Sequence, residues 1–263
     1  MVILAFLICH WYLALFVQTF FLHRYAAHAS FEMSKFWERF FYIFSYIITG
    51  SAFISPRAYA ITHRMHHAYT DTELDPHSPH HQNTVMKMMW RTRNFVLGIF
   101  KNTMEIDPRF AKNVPDWPWF DKMANSQASR IVWVLIYIAF YATFASSYWL
   151  FLLLPITVAM GPIQGAIINW CAHKYGYRNF EQKNKSTNLL RIDLIFLGES
   201  YHHNHHKYPA AINMAMRPLE FDPVYHVIRF FNMVGIVKIR QAKLVEKEHV
   251  DHIPEKLILV EAV

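Results

Sequence analysis

Two long stretches of this chain carry no charged side chain, and each is long enough to cross a membrane. Residues 1–22 contain no Asp, Glu, Lys or Arg, which predicts one membrane helix. Residues 131–173 lack these residues as well, and Pro155, Gly161 and Pro162 interrupt that stretch near its middle. The pattern therefore predicts two further helices, 131–153 and 156–173, joined by a short turn.

The rest of the chain is more polar. Segment 40–54 is apolar but short, and it is predicted as a re-entrant or interfacial helix. Residues 55–130 and 174–263 are rich in loops, although 85–100 and 224–239 have the apolar spacing of amphipathic helices. Residues 246–263 contain no motif that we can interpret. The expected fold class is all-α, with one domain, 1–263, in which an integral membrane helical bundle carries a cytosolic helical cap.

Basic residues at the ends of the apolar stretches predict the orientation of the chain. Arg130 precedes the second stretch and Lys174 follows it, so both ends are expected on the cytoplasmic side. The N-terminus then lies outside, and His23 and His173 emerge on one membrane face. A signal peptide would also explain residues 1–22. A basic n-region and a small-residue cleavage site are lacking, which favours a retained helix.

Composition and charge agree with a membrane protein. Hydrophobic residues make up 54% of the 263 residues, more than the roughly 45–50% of a typical globular chain. The net charge is +7, but no run of Lys and Arg is interleaved with aromatic residues, which argues against nucleic-acid binding. Cys9 and Cys171 both lie in apolar stretches, so neither a disulfide framework nor a cysteine metal site is expected.

Histidines are concentrated in two clusters with the pattern His-x-x-His-His. The clusters consist of His63, His66 and His67, and of His202, His205 and His206. Positions i, i+3 and i+4 share one face of a helix, so each cluster directs three imidazoles towards one point. His23 and His28, at the end of the first apolar stretch, are five residues apart, which requires the helix to end or distort between them. Asn169 and His173 share a helical face at the end of the last span.

Together these elements contain nine histidines on one face of the membrane, which matches two metal ions with four or five imidazoles each. Nitrogen ligands argue against calcium and magnesium, and nine are too many for one zinc ion. Two iron ions are therefore the expected cofactors. Such a centre beside a bilayer favours oxygen activation followed by attack on an unactivated C–H bond. The chain has no glycine-rich nucleotide loop, so electrons are expected from a separate protein.

Two non-enzymatic interpretations fit the pattern less well. A membrane haem protein needs paired histidines within its spans, whereas the predicted spans contain only His10 before their cytosolic ends. A soluble helical protein with a histidine-rich surface does not explain the long uncharged stretches.

With these motifs the chain resembles a known family, the membrane fatty acyl desaturases of the stearoyl-CoA type. That family has the boxes HxxxxH, HxxHH, NxxxH and GExxHxxHH in this order. The chain contains HRYAAH at 23–28, HRMHH at 63–67, NWCAH at 169–173 and GESYHHNHH at 198–206. The stretches Asp75-Pro76-His77 and Phe221-Asp222-Pro223 are also similar to it. The resemblance implies an oxygen-dependent enzyme that introduces a cis double bond into a saturated acyl chain in unsaturated fatty acid biosynthesis. A related di-iron hydroxylase of an alkane, sphingolipid or carotenoid is the alternative.

The resemblance also implies how the ligands divide between two irons. One iron would be held by His23, His28, His63, His67 and His206. The other would be held by His66, His173, His202 and His205, with Asn169 acting through a water. His203 matches a non-ligand position, so its change to alanine is expected to retain iron and activity. The other histidines without an expected metal role are His10, His77, His80, His81, His226, His249 and His252.

The implied substrate is a fatty acyl chain carried by CoA, acyl carrier protein or a lipid. The implied electron donor is a separate ferredoxin, flavodoxin or cytochrome b5, with no fused cytochrome b5 domain. The implied location is a bacterial inner membrane, with the site on the cytoplasmic face. Residues 80–84 replace an aromatic-rich stretch of the family, which leaves the carrier and the double-bond position open.

A basic surface is expected on the cytosolic side. It comprises Arg57, Arg64, Lys87, Arg91, Arg93, Lys101, Lys174, Lys183 and Lys185. It would steer an acidic donor or acyl carrier, or lie beside anionic lipid.

Overall fold

The computed structural model describes residues 1–239 and is built almost entirely of helices, which confirms the expected all-α class. Residues 246–263, together with His249 and His252, lie outside the described residues. In chain order the elements are α1 (Val2–Val17) with a π-helical continuation (Gln18–Ala27), β1 (Glu32–Met33), α2 (Lys35–Thr49), a 3-10 turn (Gly50–Ala52), α3 (Pro56–Tyr69), α4 (Val85–Phe100), α5 (Pro108–Ala111), α6 (Pro118–Ala124), α7 (Gln127–Phe144), a second 3-10 segment (Tyr148–Leu153), α8 (Leu154–Val158), α9 (Met160–Cys171), α10 (His202–Lys207), α11 (Pro223–Met233) and β2 (Val237–Lys238).

Helix α1 and its π-helical continuation form one rod, Val2–Ala27. The rod extends beyond the expected span of 1–22, because the π-helical turns continue the helix past its apolar part. Leu15 and Val17 are buried against the rest of the molecule, whereas Leu4 is exposed, as expected of a helix that faces lipid on one side.

The second apolar stretch divides at a different place from the expected one. Helix α7 ends at Phe144 rather than near residue 153. Ser147 is extended there, and its hydroxyl accepts a hydrogen bond from the backbone N–H of Trp149, which starts the next segment. Pro155 does not end a helix, because it lies in the first turn of α8, where its missing N–H leaves no hydrogen bond unmade.

The segment that contains the expected last span, 156–173, is bent. Helical segments Tyr148–Val158 and Met160–Cys171 meet there at 65°, just before Gly161 and Pro162. Within residues 1–239, two helices are long and apolar enough to cross a membrane: Val2–Ala27 and Gln127–Phe144. The bent pair adds a third candidate if it acts as one span.

Helix α2 corresponds to the predicted segment 40–54 but begins earlier and ends at Thr49. Ser34 caps its first turn, and Gly50 ends it with a positive φ of 52°. The helix lies against α1, where Nε2 of His10 is 3.0 Å from the carbonyl oxygen of Ile48. The chain then turns back into α3. The turn brings α3 to the same end of the molecule as the π-helical part of α1.

The cap forms around this end of α1. Phe20, Phe31 and Phe41 form an aromatic core under α11. Arg24, fully buried, makes an ion pair of 2.9 Å with Asp222 at the start of α11. Strands β1 and β2 pair in antiparallel orientation beside this contact. Helix α4 has its expected bounds, but the expected helix 224–239 ends at Met233, because the chain turns there into β2.

Candidate metal centre

The first two candidate ligands lie at the π-helical end of α1. A π-helix closes hydrogen bonds between residues five apart, so such residues come to one face. The N–H of His28 donates to the carbonyl oxygen of His23 at 3.1 Å, and the two rings are 5.1 Å apart. The expected distortion between these histidines is therefore confirmed.

The two His-x-x-His-His clusters lie on α3 and α10 and divide their histidines in the same way. The histidines at i and i+4 approach each other with Nε2 atoms 3.0 Å apart, and these pairs are His63 with His67 and His202 with His206. The middle histidines, His66 and His205, point elsewhere, because consecutive residues on a helix differ by about 100° in direction. Each cluster therefore supplies imidazoles to two separate groups.

Five imidazoles converge on the first place, here named centre one. They belong to His23, His28, His63, His67 and His205. Nε2 of His205 lies 3.0 Å from that of His23 and 2.8 Å from that of His67. Nε2 of His63 lies 2.9 Å from that of His28. Centre one thus joins the end of α1 to both cluster helices.

Four imidazoles converge on the second place, here named centre two. They belong to His66, His173, His202 and His206. Nε2 of His206 lies 3.1 Å from that of His66, and Nε2 of His202 lies 2.9 Å from that of His173. The two centres are neighbours, since the rings of His67 and His206 stack at 4.5 Å between them.

This geometry corrects the division of ligands that the family resemblance implied. His205 belongs with centre one and His206 with centre two, the reverse of the expected assignment. The reason is the helix period: His206 is four residues after His202 and must share its direction, while His205 faces the pair on α3.

The closest ring nitrogens lie at the spacing of two ligands that meet at one metal ion at about a right angle. Two nitrogens about 2.05 Å from one ion are about 2.9 Å apart at a right angle and about 3.3 Å apart at a tetrahedral angle. The close approaches in both centres measure 2.8–3.1 Å. Five imidazoles also exceed the four ligands of a structural zinc ion. Centre one therefore does not match the closed four-ligand site of a structural zinc ion.

Three carboxylates, which no sequence pattern identified as functional, orient imidazoles of these centres from behind. Glu199 accepts a hydrogen bond from Nδ1 of His23 at 2.8 Å. Both oxygens of Asp75 lie 2.9 Å from Nδ1 of His66, and Asp71 lies 3.1 Å from Nδ1 of His173. A carboxylate on Nδ1 fixes the tautomer and directs Nε2 towards a metal. The boxes GExxHxxHH and Asp75-Pro76-His77 contain two of these carboxylates, Glu199 and Asp75. The motifs therefore included these residues but did not indicate which imidazoles they contact.

The electrostatics of the site disfavour protonation of several of its imidazoles and favour the charged form of Asp71. Burial, followed by the nearby His23, holds the pKa of His63 well below the ordinary 6.5. Burial likewise lowers the pKa of His205 and of His202. Burial raises the pKa of Asp71, but the hydrogen bond and charge of His173 outweigh it and bring the pKa to about 2. A neutral imidazole offers the lone pair that metal ligation requires.

Other predicted residues have different surroundings. Asn169 is half-buried on the last turn of α9, and its role through a water stays a prediction. His203 points away from both centres: its ring bonds to the backbone of Phe180 and to Ser186, at 3.0–3.1 Å. These contacts agree with a non-ligand position for His203, and the expectation that its change to alanine retains iron and activity stays a prediction.

His77 was expected to have no metal role, and it is buried beside centre two. Its ring lies 4.1 Å from that of His66, and it forms a third possible group with His66 and Asp75. Nδ1 of His66 is already held by Asp75. The expectation for His77 stays a prediction.

Comparison with known proteins identifies the family of the chain. The fatty acid desaturase family matches residues 1–229, so the chain belongs to that family of membrane oxidoreductases that act on fatty acyl chains. A delta-9 desaturase-like 5 protein of Arabidopsis thaliana is 26% identical over 229 residues, which cover 83% of this chain and 70% of the relative. An sn-1 stearoyl-lipid 9-desaturase of a Synechocystis strain is 27% identical over 221 residues, 82% of this chain and 64% of the relative. An acyl-CoA 5-desaturase of Anemone leveillei is 26% identical over 214 residues, 81% and 64% of the two chains.

Proposed function

We propose that centre one and centre two each bind one iron ion and that this pair uses O2 to introduce a cis double bond into a saturated fatty acyl chain. The observation that carries the proposal is the convergence of nine imidazoles into two adjacent groups whose closest ring nitrogens have the spacing of ligands to one metal ion. Imidazole suits iron, and oxygen chemistry needs a redox-active metal. The family supports an acyl chain as the substrate.

The bound irons would supply the reduction of O2 and the removal of two hydrogens from the acyl chain. The residues of the chain itself would hold the metals and orient the imidazole rings. The nine imidazoles, buried or half-buried, would bind the metals through Nε2, while Glu199, Asp75 and Asp71 would fix the rings of His23, His66 and His173 from the Nδ1 side. Asn169 would add a contact through a water at centre two. Burial of the site limits side reactions with bulk water.

The proposed location of the site is the cytoplasmic face of a bacterial inner membrane. The basic residues Arg130 and Lys174, at the cap ends of α7 and α9, support this orientation. Helix α2 would lie in the interface rather than cross, because its 15 residues span only about 22 Å. Its exposed face is an apolar stripe of Phe36, Phe40 and Ile47, which suits contact with acyl chains.

The test is expression of the whole chain in a bacterial host that lacks desaturases, followed by mass spectrometry of its lipids. We expect new acyl chains that are two hydrogens lighter, with one cis double bond at a fixed position. His66→Ala should abolish them, whereas His226→Ala, at an exposed histidine on α11, should not. A product that gains an oxygen atom would identify a hydroxylase instead.

The acyl carrier and the electron donor are further parts of the proposal. The names of the relatives include acyl-lipid and acyl-CoA enzymes. We propose that the substrate is an acyl chain bound to a carrier. The purified iron-loaded protein is to be tested with CoA, acyl carrier protein and lipid esters of the same acyl chain. Electrons would come from a separate carrier protein, of the ferredoxin, flavodoxin or cytochrome b5 type.

A further inference from the structure

A strongly basic loop covers the outer side of centre two. This loop, here named the basic strap, runs from residue 174 to residue 191 between α9 and the box that contains α10. Its exposed cations are Lys174, Arg178, Lys183, Lys185 and Arg191, and its one exposed acidic residue is Glu181. Tyr175, 61% exposed, adds an aromatic side chain to the same surface.

The strap is fastened to the ligands of centre two. Lys174 directly follows His173 in the chain. The N–H of Thr187 donates to the carbonyl oxygen of Ala172 at 2.7 Å. The N–H of Lys185 donates to Asp71 at 2.7 Å, and the same carboxylate lies against Nδ1 of His173. The positions of the strap cations are therefore fixed relative to centre two.

Other members of the expected basic surface are used within the protein. The guanidinium of Arg64 is half-buried and donates to the carbonyl oxygens of Ala27 and Lys112, each at 2.6 Å. Arg91 donates to the carbonyl oxygens of Asp75 and Glu73. These arginines hold the loops around α3 and α4. Among the strap lysines, Lys183 and Lys185 are exposed, while the ammonium of Lys174 lies 3.5 Å from the ring centre of Trp170. The strap therefore carries accessible positive charge directly after His173.

The proposed reaction needs electrons from outside. In balanced form it is R–CH2–CH2–R′ + O2 + 2 e− + 2 H+ → R–CH=CH–R′ + 2 H2O. The acyl chain supplies two of the four electrons that O2 requires, and a donor must supply the other two. A one-electron carrier protein delivers them singly, and its cofactor must come close to a metal ligand.

We propose that an acidic one-electron carrier protein docks on the basic strap and that its electrons enter through the His173 side of centre two; this inference rests on the proposed function. The positive charge of the strap argues for a partner with a negative surface, because charge attraction between such surfaces raises association rates by about 10- to 1000-fold at low salt. His173 is one residue from the exposed Lys174, which makes it the centre-two ligand nearest in sequence to this surface.

The test measures electron entry without requiring desaturation. The iron-loaded full chain, in nanodiscs of zwitterionic lipid, is mixed under anaerobic conditions with a photoreduced acidic [2Fe–2S] ferredoxin or with dithionite, and reduction of the iron is followed by absorbance. For the Lys183→Glu/Lys185→Glu variant we expect the ratio of the ferredoxin rate to the dithionite rate to fall about tenfold, with a weaker dependence on salt. The control Lys101→Glu/Lys112→Glu reverses two other exposed lysines outside the strap and should change the ratio less than about twofold.

The outcomes separate the possible explanations. An unchanged ratio in the strap variant, or an equal fall in the control, would overturn the docking site. The measurement is repeated in nanodiscs that contain anionic lipid. A ferredoxin rate that depends on the fraction of anionic lipid and not on the strap charges would assign the strap to the membrane and also overturn the docking site. If ferredoxin reduces the wild-type iron as expected but acyl chains stay saturated, the proposed function fails while the docking surface stands.

Discussion

His205 and His206 are neighbours in the chain but belong to different centres, which makes them a sensitive test of the site. We predict that His28→Ala/His205→Ala, which removes two ligands of centre one, leaves about one metal ion per chain. His28→Ala/His206→Ala removes one ligand from each centre and should lower the affinity of both. Metal analysis of the purified variants by mass spectrometry distinguishes them. The division implied by family resemblance makes the opposite prediction, and that result would reject the grouping seen here.

Asp75 is the residue whose charge matters most to centre two without touching a metal. Both of its oxygens face Nδ1 of His66, and the imidazole becomes a stronger donor when a carboxylate accepts its proton. We predict that Asp75→Asn weakens metal binding at centre two by about 10- to 100-fold, measured by competition with a chelator. The matched control is Glu105→Gln, which removes one negative charge at an exposed position. Equal affinities for the two variants would contradict the orienting role.

At the scale of elements, the turn between α2 and α3 determines whether the histidine cluster on α3 reaches the end of α1. Gly50 has a positive φ of 52°, and a Cβ there would overlap Oη of Tyr137 and lie 3.0 Å from its Cζ. We predict that Gly50→Ala lowers the free energy of unfolding by at least about 1–2 kcal/mol, because an L side chain is strained in this conformation. Gly165→Ala, with nothing within 4 Å of the added Cβ, is the control. Thermal unfolding in detergent measures both, and similar melting temperatures would refute the argument.

Much of the element pattern followed from the sequence, for identifiable reasons. The uncharged stretches indicated α1 and α7, and the apolar spacing indicated α4, because burial and lipid contact act on every turn of a helix. The break at Ser147 was missed, since Pro155 is a stronger sequence signal but is harmless in the first turn of α8. The carboxylate partners of His23, His66 and His173 could not be found, because hydrogen bonds across up to 176 residues leave no local pattern.

At the scale of the whole molecule, the orientation in the membrane is the main consequence to test. We predict that a cysteine replacing Ser146, at the turn after α7, reacts with an impermeant maleimide added outside intact cells. Cysteines replacing Lys35 and Lys183 should react only after the cells are opened. Cys9 and Cys171 are first changed to serine. If the Lys35 and Lys183 positions react on opposite sides, α2 crosses the membrane and the proposed interfacial placement is wrong.

The middle histidine of each cluster lies with the other two histidines of the opposite cluster. This arrangement has a consequence for how the protein is made. Neither cluster holds three ligands for one ion, and centre one joins residues as far apart as His23 and His205, 182 positions along the chain. During synthesis, therefore, neither ion can be captured fully until the segment through His206 has emerged. The metals then act as two cross-links that tie the earliest helix to the last histidine box. If the proposed irons bind, cells short of iron should therefore accumulate chains in which α1 is not tied to α10, and proteases should degrade these chains faster.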